Sequence, residues 1–298
     1  VLATVAIIFG SCALSLVAIS GGSSKTSGGF GDKIAVIHID GVIAGTGSSS
    51  GGVITPEEFR KQLRQAENDS DVKALVLRVD SPGGTVAASE EIATYVRQSD
   101  LPVVVSIGDV GASGAYMISS QADRIFALPG SAVGSIGVIS EIPNVSGLLN
   151  KVGVDFQVIT AGELKDTGSP YRSLTTTEKA LIKGQVDQAY RQFVDIVAAG
   201  RNKQLKKSDV EKLATGWAWN GDEAKRLGLV DKIGTYQDAL DEAARLGKIE
   251  GDYKVVNYET ETLQDVLGGL FSISSKLDKL DALTNTDPAS ATRSSLPR

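Results

Sequence analysis

The chain has 298 residues with 36 acidic against 30 basic side chains, a net charge of -6, which suits one large α/β domain or two smaller ones. It has no basic cluster interleaved with aromatics, so nucleic acid is set aside as a partner. Cys12 is the only cysteine and His38 the only histidine, which excludes intrachain disulfides and ordinary His/Cys zinc sites; no metal or cofactor is expected.

Residues 1–24 carry no charged side chain, and 1–19 are almost wholly apolar or small, close to the ~20 residues that span a bilayer. They predict a transmembrane anchor over residues 1–20, with a cleavable signal peptide as the alternative. A lipoprotein site at Cys12 fits poorly, because the apolar run continues past it. Residues 21–32 read as a Gly/Ser linker, 33–258 as the main domain, and 259–298 as a C-terminal helix with a flexible tail.

Within the main domain, residues 34–39 read as a strand. Thr55-Pro56-Glu57-Glu58 opens a helix with an N-cap, a proline at the first position and a capping-box glutamate. Residues 74–79 form a strand ending in Asp80-Ser81-Pro82-Gly83-Gly84, and a helix follows over 86–98. The plan repeats: strand 103–107 leads through glycines to Ser113 and another helix. Strands are also expected at 124–128, 156–160 and 253–258. Thr175 with Glu178 and Ser208 with Glu211 read as capping boxes. Residues 215–234 read as a turn, short helix and return strand, with a helix over 235–246. Strands alternating with helices imply an α/β fold around a mostly parallel sheet.

Ser113 lies where a strand gives way to a helix, a place that favours developing negative charge. A plain N-cap serine is the simpler reading of that stretch alone. His38 reads as an ordinary strand residue, so a serine nucleophile here needs lysine as its base. The lysine pKa must then fall several units from about 10.4, which apolar surroundings achieve by penalising the charged form. Lys165 is the best placed, after a strand expected to be buried, whereas Lys151, Lys179 and Lys183 have helix-like or solvated contexts. From spacing alone, a surface lysine is the plainer reading of each. Asp166 is a complication, because a carboxylate near the amine holds it charged. Gly83 and Gly84 suit a tight turn whose amides, with that of Gly114, face an oxyanion.

These motifs together resemble the signal peptide peptidase A family of membrane-bound Ser/Lys peptidases, related in fold to Clp protease and the crotonases. The resemblance rests on Asp80-Ser81-Pro82-Gly83-Gly84, Gly111-Ala112-Ser113-Gly114-Ala115-Tyr116, Gly134-Ser135-Ile136-Gly137-Val138, Lys165 with Pro170 downstream, and residues 221–231, and it covers about residues 33–245. It implies repeated β-β-α units, Ser113 as nucleophile, Lys165 as base, and Ser135 orienting the amine, with Ser131 and Ser169 as rivals. It also implies signal peptides and other apolar peptides as substrates. The implied assembly is a homo-oligomer with sites near subunit interfaces. The implied location is a bacterial cytoplasmic membrane, single-pass, with the catalytic domain extracytoplasmic. Two other readings are an acyl-CoA hydratase or isomerase of the crotonase kind and an inactive membrane-tethered scaffold.

Overall fold

The computed structural model describes residues 31–47 and 52–258. The expected anchor, most of the linker and the C-terminal helix and tail lie outside the described residues, and among those described no helix is long and apolar enough to cross a membrane.

The chain begins with β1 (Lys33–Ile43) and the short β2 (Val53–Ile54), then α1 (Pro56–Asn68), β3 (Val72–Gly84), α2 (Val86–Gln98), β4 (Val103–Ala112) and α3 (Gly114–Ser119). β5 (Arg124–Ala127) and β6 (Ala132–Gly134) follow, then α4 (Ser146–Val152) and the long α5 (Thr176–Gly200). The domain ends with α6 (Lys207–Leu213), β7 (Ala218–Asn220), α7 (Gly221–Arg226), β8 (Lys232–Ile233), α8 (Tyr236–Leu246) and β9 (Lys254–Asn257). The sheet order is β2-β1-β3-β4-β5-β8, with β9 on β1 and β6 on β4. Every pairing is parallel except that of β6 with β7.

The β-branched runs form central strands because both faces of the sheet are covered. Ala35, Ile37 and Ile39 of β1 join Leu75, Leu77, Val79 and Val105 beneath α1, α2 and α3. Their alternates Ile34, Val36, Ala74, Val76 and Val104 pack with Ala239, Leu240 and Ala243 of α8. Thr55 and Thr175 cap their helices as the sequence implies, each hydroxyl accepting the amide of the third helical residue, Glu58 and Glu178. The capping-box bond back to the cap amide forms at Thr175, whereas Glu58 accepts the Thr55 hydroxyl instead.

Two expectations are corrected. Ser208 is not a cap: α6 is entered from Lys206, whose carbonyl takes the amides of Asp209 and Val210, and Val210 is buried in the core. Residues 156–160 are not a strand, and they are exposed rather than buried, with Ile159 96 % accessible. Among the described residues, their β-branched pattern meets no neighbouring strand.

Polar side chains fasten the outer layers. Arg201 at the end of α5 is wholly buried, with its guanidinium on both carboxylate oxygens of Asp231 (2.9 and 3.0 Å) and on the Gly228 carbonyl. Asp231 in turn accepts the Ile125 amide, which ties α5 to the sheet edge. On the other face Glu242 of α8 meets Arg245, Lys232 and Arg124. Hydrogen bonding to Arg245 and Lys232 outweighs burial and brings its carboxyl down from 4.5 to about 2.

Asp231→Ala strands a buried guanidinium, and its expected cost of about 3–5 kcal/mol is read from the urea midpoint. For Glu242, the stabilisation is complete above pH 4.5 and is lost as pH falls through the folded-state value of about 2. Thermal melts of Glu242→Gln are therefore expected below wild type at neutral pH, with the gap closing between those two values.

Candidate active site

The irregular ends of β3 and β4 meet over α3. Ser113 links β4 to α3 with φ 52° and ψ -125°, a conformation that a side chain seldom adopts. It holds the N-cap position, yet its hydroxyl makes no cap hydrogen bond. The plain capping role expected from the local sequence is therefore absent. Its amide is fixed to the Gly134 carbonyl at 2.8 Å, and its carbonyl accepts the Met117 amide, so the backbone is held from both sides.

Close backbone approach explains the glycines. A Cβ on Gly84 would stand 1.8 Å from the Ile43 carbonyl oxygen, and one on Gly114 would stand 2.1 Å from the Ser89 hydroxyl. Gly83 has φ +99°, and its absent Cβ would lie 2.6 Å from the Gly114 nitrogen and 2.8 Å from the Ser113 Cβ. The Gly83 amide is already engaged, donating to the Ser81 hydroxyl at 3.1 Å. Thr85 turns its amide toward β1, onto the Ile43 carbonyl, so strand alternation turns that of Gly84 the other way. Consistently, the Gly84 nitrogen lies 3.4 Å from the place of a Gly114 Cβ.

A cavity of about 500 Å³ opens over this junction, with Ser113, Gly84, Gly114 and Ser135 in its wall. Met117, Phe193 and Ala214 are its buried apolar lining, while Val138 and Ile139 form a more exposed side. Ser135 also has a positive φ, 49°, and its hydroxyl donates to the Gly216 carbonyl at 3.1 Å. Ser131 is committed elsewhere, donating to the Gly108 carbonyl and accepting the Leu128 amide. Ser169 is on the Lys165 turn, where its hydroxyl accepts the Tyr171 amide.

Behind the cavity, the Tyr116 hydroxyl donates to the Leu229 carbonyl. Burial pushes that phenol far above its ordinary value and keeps it a donor. His38 is in β1 beside Asp40 and does not line the cavity. Among the described residues no cluster of histidine, cysteine and carboxylate has the makings of a metal site.

Lys165 is not brought to Ser113 within the chain. It lies on an exposed turn, outside the cavity wall, and among the described residues its side chain joins no hydrogen bond or ion pair. Asp166 is drawn away from it: the Arg172 guanidinium binds Asp166 at 2.8 Å and buried Glu178 at 2.6 Å. Arg172 holds both carboxyls below their usual range and fastens the Lys165 turn to the start of α5. Sequence reasoning missed Arg172, whose signal was a lone arginine between two acids six residues away on either side.

Residues 96–250 match peptidase family S49. A protein of Enterococcus faecium named as a signal peptide peptidase, SppA, is 39% identical over 77% of this chain and 68% of its own length. Protease 4 of Haemophilus influenzae is 36% identical over 78% of this chain and 38% of its own. Among solved structures, a membrane-bound stomatin-specific protease superposes with a TM-score of 0.51 at 16% identity, over 78% of this chain and 100% of that one, and shares the fold. On these matches the chain belongs to peptidase family S49 and is a serine protease.

Proposed function

We propose that the chain is a membrane-anchored Ser/Lys endopeptidase that degrades signal peptide remnants and other apolar peptides. The observation that carries this reading is the Ser113 hydroxyl, withheld from helix capping and set in the wall of a cavity beside the amides of Gly84 and Gly114. Membership of a peptidase family argues against the acyl-CoA alternative. The apolar run at residues 1–20 supports the anchor. In this reading, which follows the family resemblance, the membrane is the bacterial cytoplasmic one and the peptidase domain is outside the cytoplasm.

In this mechanism the neutral Lys165 amine takes the Ser113 proton as Oγ attacks the peptide carbonyl. The Gly84 and Gly114 amides stabilise the tetrahedral oxyanion, with Gly83 shaping the turn. The lysine then passes its proton to the leaving amine. Water, deprotonated by the same lysine, then attacks the acyl carbon, and the lysine returns that proton to Ser113 Oγ as the acyl group leaves. Ser135 orients the amine. The buried Met117 and Phe193 in the cavity wall favour apolar side chains.

The separation of Lys165 from Ser113 in one chain supports completion of the dyad between copies. Ile139, Leu148, Val152, Phe156, Val158 and Ile159 are exposed on the stretch that precedes Lys165, an apolar surface suited to a second copy. Docking there gives the lysine the dry surroundings its role requires.

Ser113→Ala and Lys165→Ala are each expected to cut peptide turnover by about 10³-fold or more. Co-assembly of the two variants is expected to recover turnover, because a shared site then combines an intact serine with an intact lysine. A silent mixture would place the dyad within one chain, and full activity in either single variant would sink the assignment of that residue. Ser113→Gly is expected to be inactive too, yet more stable than Ser113→Ala by about 1–2 kcal/mol in thermal melts, since glycine relaxes the positive φ.

A further inference from the structure

Beside the nucleophile, β1 and β3 fall out of step. Asp40 pairs with Asp80 and Val42 with Gly83, so Gly41 alone stands opposite Ser81 and Pro82. This is a β-bulge, and Pro82 brings no N–H to it. The fully buried Ser81 hydroxyl bridges the gap, donating to the Gly41 carbonyl at 2.5 Å and accepting the Gly83 amide at 3.1 Å. The hydroxyl thus stands inside the ladder, between two backbone groups of different strands. It is engaged as both donor and acceptor, which suits it to hold geometry rather than to react. Gly41 has φ +85°, and its missing Cβ would lie 2.3 Å from the Gly52 carbonyl oxygen, so this end of the bridge is itself fixed. At the other end, Gly83 presses against Ser113 and the Gly114 nitrogen. A tilt of the Pro82–Gly83 peptide therefore reaches the Gly84 amide through the Gly83 Cα, whose place is fixed by that packing.

We propose that Ser81 is a positioning residue for the oxyanion site: its hydroxyl locks the bulge and sets the Gly84 amide against that of Gly114. The inference rests on Ser113 being the nucleophile. Ser81 touches neither substrate nor the reacting atoms. Its effect is confined to how well the two amides meet the charge that develops on the carbonyl oxygen. Removal of a whole oxyanion donor costs about 10²–10³ in kcat, and misplacing one is expected to cost about 10–100-fold.

The test compares wild type, Ser81→Ala, Ser81→Thr and Ser113→Ala as the full chain in detergent, with an apolar peptide substrate. A peptide boronate serves as the tetrahedral probe, and the same peptide ending in a neutral amide as the ground-state probe. The expected result for Ser81→Ala is a fall in kcat of about 10–100-fold with KM within about threefold of wild type. Boronate affinity is expected to fall with kcat while amide-peptide affinity holds, and Ser81→Thr, which keeps the hydroxyl, to recover most of the loss. If Ser81→Ala does not fold, Ser81→Cys keeps the volume with weaker hydrogen bonds and is read in the same way. Unchanged kcat in a folded variant would overturn the proposal, as would equal weakening of both probes. A wild type whose serine is not labelled by a fluorophosphonate, with turnover indifferent to Ser113→Ala, would overturn the nucleophile assignment itself and the Ser81 role with it.

Discussion

Three backbones meet at Ser113 with no room for a Cβ between them, and the organisation of the site follows from that contact. Gly84 lies under the Ile43 carbonyl, Gly114 lies against the Ser89 hydroxyl, and Gly83 presses on Ser113 itself. Parallel strands deliver these segments to the same end of the sheet, where the C-terminal ends of β3 and β4 lie side by side. The sheet can hold so tight a junction because it is packed on both faces, by α1 to α3 on one and α8 on the other. The strain at Ser113 is thus borne by a rigid surround rather than relaxed by it. Tyr116 and the Arg201–Asp231 pair extend that surround, because both are anchored to residues 228–231. This is a structural use for the Gly228-Leu229-Val230-Asp231 stretch, which has no contact with the cavity.

Much of the fold was legible in the sequence because its signals were local. The strands of the central sheet are β-branched runs bounded by glycine and proline, and the starts of α1, α5 and α8 are capped within four residues. Ser208 misled because α6 starts one residue earlier, at Lys207, on the Lys206 carbonyl, which leaves Ser208 inside the helix. Residues 156–160 misled for a different reason. A β-branched pattern says that a segment is fit to be covered, but not by what, and among the described residues it gains only the stacking of Tyr171 on Phe156 and stays exposed.

The site divides along the same line. Ser113, Gly84, Gly114 and Ser135 were legible because each lies in a strand-to-turn motif, and these four line one cavity. The bridge made by Ser81 was not legible, since its partner carbonyl is forty residues earlier in the chain and the bulge exists only once β1 and β3 are paired. Arg172 was missed for want of any local pattern. It nevertheless answers the question raised by Asp166, because a guanidinium with two carboxylates to bind leaves that acid little reason to turn toward the neighbouring amine.

The two halves of the proposed dyad therefore rest on unlike foundations. The serine half is built into the packed interior, where hydrogen bonds and close contacts fix its backbone before any substrate arrives. The lysine half is borne on an exposed, apolar-rich stretch, held to α5 through Arg172. An amine in water stays protonated and is no base, whereas an amine covered by apolar surface gives up its charge. In this reading the surface that needs covering and the amine that needs drying belong to the same segment. On the proposed dyad, assembly would supply both at once, and proteolysis would be confined to the assembled state by the solvation of a single side chain.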